Sequence, residues 1–482
     1  MILGLLLLAS NIEVGPSRAI TRPSQAAQMA HDGDVILIDA GLYSGDVTTW
    51  RANNLTIRGV GGRAHLDANG MNAGGKGIWV IQGSNTTVES IEFSGAAVPD
   101  MNGAGIRQEG PGLTVRDCYF HDNEDGILSG DAAQGDILIE SSIFEHNGAG
   151  DGFSHNMYIG HVRTFTLRGS FSHDARVGHL VKSRALTNII EGNRITEEDG
   201  SDASLEIDLP NGGVAIIVGN VIQQGANSQN SGIISFAAEG ASNPNPSLFV
   251  AYNTVINALG RGNVVDNHSA VAAVVVDNII SGGGTVLNGP GTPSTNLVAA
   301  NPGFVDLAHL DVHLAAGAMG IGGAVDPGMG GGRSLVPTIE YVHPAHSTSR
   351  ASGHDQGAFE HDTVITDAGV VPAGDAAVRD TGIAGPDTGV APVDTGVVFT
   401  DTGLPAFDTG TGPADTGAVT ADAGASAADA GVGADAAAGD GGDGAVSGGC
   451  GCAATRTGIS SLVAVAAVLL VALLRRRRGP QA

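Results

Sequence analysis

Cysteine is nearly absent from this 482-residue chain, with three residues in all, Cys118, Cys450 and Cys452. No disulfide framework follows from so few. Aromatic residues are thin as well, with 2 Trp, 5 Tyr and 12 Phe. A ring platform for stacking sugars therefore rests on a few positions, chiefly Trp50, Trp79 and Tyr158. Positive charge is the third deficit: 23 Lys and Arg stand against 50 Asp and Glu, a formal net charge of −27. Phosphate backbones need basic stripes that such a chain lacks, so nucleic acid is not an expected partner. Bound cations, or a surface kept soluble by self-repulsion, suit it better.

What the chain does have is glycine, 75 residues of it, between short runs rich in Ile, Val and Phe. One pattern recurs: an apolar residue, two further residues, a small polar anchor, one residue, and a second apolar residue. The anchors are Cys118, Ser142, Ser170, Asn193, Asn220, Asn253 and Asn278, spaced 24, 28, 23, 27, 33 and 25 residues apart, and the second apolar place is kept after six of the seven, Ser172 being the exception. That is the period of stacked units, none of which buries its apolar face alone. Strand-forming residues joined by Gly and Asn turns argue against helical repeats, and no tighter leucine consensus is present. The expected fold is all-β, a right-handed parallel β-helix solenoid with Cys118 as a small buried core residue. The chain here resembles the pectate-lyase-like superfamily, through Gly33 to Tyr43 as a first coil and Asp355 to Glu360 as a closing segment. That resemblance implies a fold, not a chemistry.

Composition divides the rest. Met1 to Ala9, MILGLLLLA, resembles the apolar part of a secretory signal, with a first buried strand as the alternative. Residues 10–362 form the β-helix: Ser24 to Ala30 as a short capping helix, coils from Val35 to Ile280, terminal coils through Gly323, and Val336 to Glu360 packed back along the helix. In 363–449, Asp-Thr-Gly recurs every seven residues from Asp380 to Asp415. Gly and Pro interrupt each repeat, so a disordered, self-repelling stalk is expected in place of a coiled coil. The 450–482 segment places Cys450 and Cys452 before an apolar run, Ile459 to Leu474, and four arginines. This layout resembles the MYXO-CTERM sorting signal. It implies a C-terminal transmembrane helix, a sorting protease acting near Cys450 or Cys452, lipid on a cysteine, and display at a bacterial cell surface. A single-span tail anchor is the plainer alternative.

The chemistry concentrates in the central coils. Alternation over Leu205 to Leu209 directs Glu206 and Asp208 to one face, and coil offsets make Lys182 a neighbour of Asp208, and Tyr158 of Glu206. His121, Asp122, His146, His173 and Asp174 fall at similar offsets and line an outer face. His155 and His161 are six residues apart, with no tight His-x-x-x-His spacing, so zinc is not expected. The stretch Lys182-Ser183 with Asn188, Asn193 and Asn220 is similar to the lysine coil of polysaccharide lyase family six. That similarity implies Lys182 as the base removing the proton α to a uronate carboxylate, with calcium as cofactor. His155, His179 or Tyr158 are then the candidate acids, Arg184 and His173 substrate contacts, and Glu206, Asp208 and Asp174 calcium ligands. A surface salt bridge between Lys182 and Asp208 is the plainer account of the same residues. Two functions stand at this point. One is a surface module that binds carbohydrate or extracellular matrix, and the other a lyase or epimerase acting on acidic polysaccharide.

Overall fold

The computed structural model describes residues 10–361 apart from 199 and 352. The signal-like segment, the Asp-Thr-Gly stalk and the cysteine and arginine tail lie outside the described residues. Among those described, no helix is long and apolar enough to cross a membrane.

The chain winds as a right-handed parallel β-helix. Ten short strands, from Thr48–Trp50 to Thr285–Asn288, stack coil upon coil into one parallel sheet. Twenty more form the other side, in two columns that meet where single strands turn the corner. Thr56–Asp67 is such a strand: its first half pairs with Thr86–Glu89 and its second half with Ile91–Ser94. Alternation explains the interior. Along Asp136–Glu140, Ile137 and Ile139 are buried while Leu138 and Glu140 face outward. The core is thus a column of like residues: Phe93, Phe120 and Phe144 stack at 4.9 and 4.7 Å between ring centres. Trp50 and Trp79 extend the same column, 5.3 Å apart, fully buried. They are core residues, which corrects the expectation that they serve sugar stacking.

The anchors line up as expected. The Cys118 N–H donates to Ser142 Oγ and the Ser142 N–H to Ser170 Oγ, both at 3.2 Å. Ser170, Asn193, Asn220 and Asn253 donate in turn to the Oδ1 of Asn193, Asn220, Asn253 and Asn278 at 2.9–3.0 Å. Each bend points its backbone N–H along the axis, and the next anchor's side chain satisfies it. The ladder runs one rung beyond the sequence pattern, to Asn296. A second ladder, Asn123 to Asn147 to Asn156, closes the neighbouring corner.

The N-terminal end is covered. The helix Pro23–Met29 buries Pro23 and Ala26 at the first coil, which shields a sheet edge. After the last coil the expected terminal coils are replaced by a hairpin, Phe304–Asp306 paired antiparallel with Asp311–Leu314, and a second, Met329–Gly330 with Arg333–Ser334, follows beyond it. The apolar runs there are too short to span a coil face. A third hairpin, Ile339–Val342 with His346–Ser349, lies back along the solenoid as expected. Its neighbours hold it through Glu191, which accepts from Arg333 Nη2 at 2.7 Å and from the Thr338 N–H at 3.0 Å.

Candidate functional site

Three consecutive strands of the ten-stranded sheet, Met157–Ile159, Val181–Ser183 and Ile207–Leu209, build the site. Val181, Ser183 and Ile207 are buried in the core, so the intervening residues face outward. Register places Tyr158 beside Lys182 and Lys182 beside Asp208. Lys182 Nζ lies 3.8 Å from Asp208 Oδ2 and 5.2 Å from the centre of the Tyr158 ring. Arg184, two residues further along the same face, donates from Nε to the Tyr158 hydroxyl at 2.7 Å. Glu239 and Asn211 from later coils hold its guanidinium.

The two histidines that precede these strands join the group. His155 and His179 stack with centres 4.6 Å apart and planes at 9°. The His179 N–H donates to His155 Nδ1 at 3.0 Å, which leaves the His155 proton on Nε2. His179 Nε2 lies 3.6 Å from Asp208 Oδ2. Burial, reinforced by the Lys182 charge, lowers His179 to about 3; burial, with His179 next to it, lowers His155 well below the usual imidazole range. Neutral imidazoles of this kind offer hydrogen-bonding nitrogens at pH 7 and hold no imidazolium proton to give. Burial raises Asp208 to about 6, against the opposing pull of Lys182, so it is ionised at neutral pH.

The other sequence-selected residues sit elsewhere. Glu206 does not neighbour Tyr158 and does not share Asp208's face. The strand begins only at Ile207, and the bend before it buries Glu206 completely, against Glu197. Burial, and then the charge of Glu197, hold the Glu206 carboxyl far above its ordinary range. Burial raises Glu197 as well. A protonated carboxyl is a poor calcium ligand, and Glu206, Asp208 and Asp174 do not converge as three ligands. Among the described residues, Asp174 groups instead with His173 and Glu198, their ligand atoms within 4.8 Å of one another. His173 Nδ1 meets Asp174 Oδ2 at 2.8 Å, and its ring lies 4.0 Å from that of Phe171, on the twenty-stranded side. His173 is therefore no neighbour of Lys182. Cys450 and Cys452 lie outside the described residues.

Sequence reasoning missed Asn211, Glu239 and Glu197. Asn211 and Glu239 lie 27 and 55 residues from Arg184, so only coil registration relates them. Two open grooves, of about 600 and 560 Å³, lie under the C-terminal hairpins, and Arg194, Glu198, His309 and Leu310 line both. Neither includes Lys182.

A parallel β-helix carrying an outward lysine cluster defines a class of fold and not yet an activity. The crystal structure of pectate lyase Pel9A is similar to this chain at 14% identity, with a TM-score of 0.51, covering 73% of this chain and 96% of that one. A structure described as Geobacillus virus E2 ORF18 matches at 12% identity and a TM-score of 0.34, covering 57% of this chain and 56% of that one. No protein family matches the sequence, and no curated protein does.

Proposed function

We propose that the protein engages uronate-bearing polysaccharide on the outward face of its ten-stranded sheet, displayed at a bacterial cell surface. The observation that carries this is the registered row of Tyr158, Lys182 and Asp208 with Arg184 alongside, an aromatic ring flanked by two cations on an otherwise acidic chain. Sugar rings pack their C–H groups on the face of such a tyrosine, and the Lys182 ammonium meets a uronate carboxylate. The likeness to pectate lyase Pel9A supports a polysaccharide as the partner class. Surface display rests on the sequence alone: the apolar start, the acidic stalk, and the cysteine, apolar and arginine layout, which together imply export, proteolytic sorting near Cys450 or Cys452, and membrane attachment.

A second reading, β-elimination, is favoured by one feature: Asp208 Oδ2 draws both Lys182 Nζ and His179 Nε2 to itself, as an orienting carboxylate does for a base. Lys182, as the free amine, would take the proton α to the uronate carboxylate, the electron pair would form the ring double bond as the neighbouring carbon–oxygen bond breaks, and the glycosidic oxygen would leave with a proton from Tyr158. Calcium, if used, would bind Asp208 together with the polymer's own carboxylate.

Retention of the full chain on immobilised pectate, alginate and chondroitin, with and without calcium, tests the proposal. Lys182→Ala is expected to weaken retention about tenfold, or about 1.4 kcal/mol. Equal retention of variant and wild type, or none on any polymer, would overturn it. Ultraviolet absorbance of an unsaturated uronate from wild type alone would establish elimination.

A further inference from the structure

We propose that His65, Glu92 and His121 form a binding site for a zinc-class divalent ion on the outward face of the twenty-stranded side. The residues come from three successive coils. His65 and Glu92 are registered side by side on Thr56–Asp67 and Ile91–Ser94, and His121 lies one coil on, in register with Ser94. His65 Nδ1 and His121 Nε2 approach the same atom, Glu92 Oε1, at 3.4 and 3.1 Å. All three ligand atoms lie within 4.8 Å of one another. Four ligands at zinc bond lengths stand roughly 3.3–3.5 Å apart at the corners of a tetrahedron, so two edges of that figure are already in place.

The far nitrogens explain why the near ones are poised to bind. His65 Nε2 bonds Ser94 Oγ at 2.7 Å, and His121 Nδ1 bonds Asp122 Oδ2 at 2.9 Å. Arg176 in turn pairs with Asp122. When each histidine donates its proton to that outer partner, the His65 Nδ1 and His121 Nε2 lone pairs turn to the ion, whose bonds replace the hydrogen bond that joins His121 Nε2 to Glu92 Oε1 at 3.1 Å. Three electron-rich atoms then converge on one point, an arrangement that a cation among them stabilises. Outer-shell donors of this kind are what metal-bound histidines characteristically have. Tyr119 stacks on the His121 ring at 4.4 Å between centres and limits its rotation. The three side chains are 19–30% exposed, so an ion reaches them from solvent and a fourth position faces outward for water or a ligand carboxylate. Two imidazoles and one carboxylate select zinc or a related transition ion over calcium, which takes oxygen ligands.

The test is titration of the tag-free, metal-depleted full chain with zinc chloride, followed by calorimetry, and a cobalt-substituted sample read for tetrahedral ligand-field bands. One ion per chain is expected. His65→Ala and His121→Ala should each weaken binding at least about a hundredfold, and Asp122→Asn about tenfold. His173→Ala should leave binding unchanged. These side chains are outward, and circular dichroism confirms that each variant is folded. Absence of saturable zinc binding by wild type, or binding abolished by His173→Ala and kept by His121→Ala, overturns the proposal.

Discussion

The Asn220 side chain accepts hydrogen bonds from the Asn193 N–H and Nδ2 and donates to Ile190 O, Val218 O and Asn253 Oδ1. It is fully buried, so nothing replaces those partners when it is removed. Asn220→Ala strands several polar groups at one bend, and an orphaned buried group costs about 1–3 kcal/mol. We expect Asn220→Ala to lose about 3 kcal/mol or more in urea unfolding. Asn220→Ser should lose less, because Ser142 and Ser170 show that a hydroxyl can hold the position. These anchors were legible because they recur at coil-length spacings. Asn296 and the second ladder were not: Asn296 follows Asn278 by 18 residues and Asn156 follows Asn147 by 9, outside any coil period. Lys182 and Asp208 were legible as neighbours for the same reason that Glu206 misled. Alternation holds only within a strand, and this one begins at Ile207.

Among the elements, the C-terminal hairpins behave differently from the coils. Tyr341 of the strap Ile339–Val342 and His346–Ser349 joins Phe359, further along the chain, in covering Phe171, Val221 and Ile256, a separate apolar cluster outside the solenoid's own core. One polar hold lies just before the strap at Glu191, whose carboxylate binds Arg333 and both donors of Thr338, and a second lies at the buried Glu340, which accepts from the Glu360 N–H at 2.7 Å and pairs with Arg350. Glu191→Ala should free the segment between Arg333 and Ser349 without unwinding the coils. Limited proteolysis is expected to cut there several times faster than in wild type, and equal cleavage rates would show that the apolar cluster and the Glu340 contacts hold the strap without Glu191. Sequence placed this segment against the helix but did not show its hairpin form. Nor did it show the hairpins that replace the terminal coils, because antiparallel return depends on what the chain meets.

For the molecule as a whole, buried titratable groups set the dependence of stability on pH, and they oppose one another. His155 and His179 are held below the ordinary imidazole value of 6.5, His179 at about 3, so the unfolded chain binds more protons there and stability is lost as pH falls through that window. Glu206 and Glu197 are raised above the ordinary 4.5, Glu197 to about 7. Their folded forms hold protons that the unfolded chain releases, so their contribution is lost as pH rises above 4.5. Glu206→Gln keeps the shape and removes the charge. Its advantage over wild type should therefore grow with pH, by up to about 1.4 kcal/mol per unit, in urea midpoints measured from mildly acid to mildly alkaline conditions. Parallel curves for the two proteins would mean that the Glu206 carboxyl stays protonated in neither state or ionises alike in both.

The sequence by itself determined the coil. A small polar anchor between apolar residues, repeated at 23 to 33 residues, leaves no arrangement that buries the apolar positions except stacking. Only the tertiary structure decided which outward side chains meet, bringing Lys182 to Asp208, Arg184 to Glu239, and His65 and His121 to one oxygen of Glu92. The reason is geometric. Inward positions obey the local alternation of a strand, whereas outward neighbours are set by loops of unequal length, whose registration appears only once every coil has been laid upon the last.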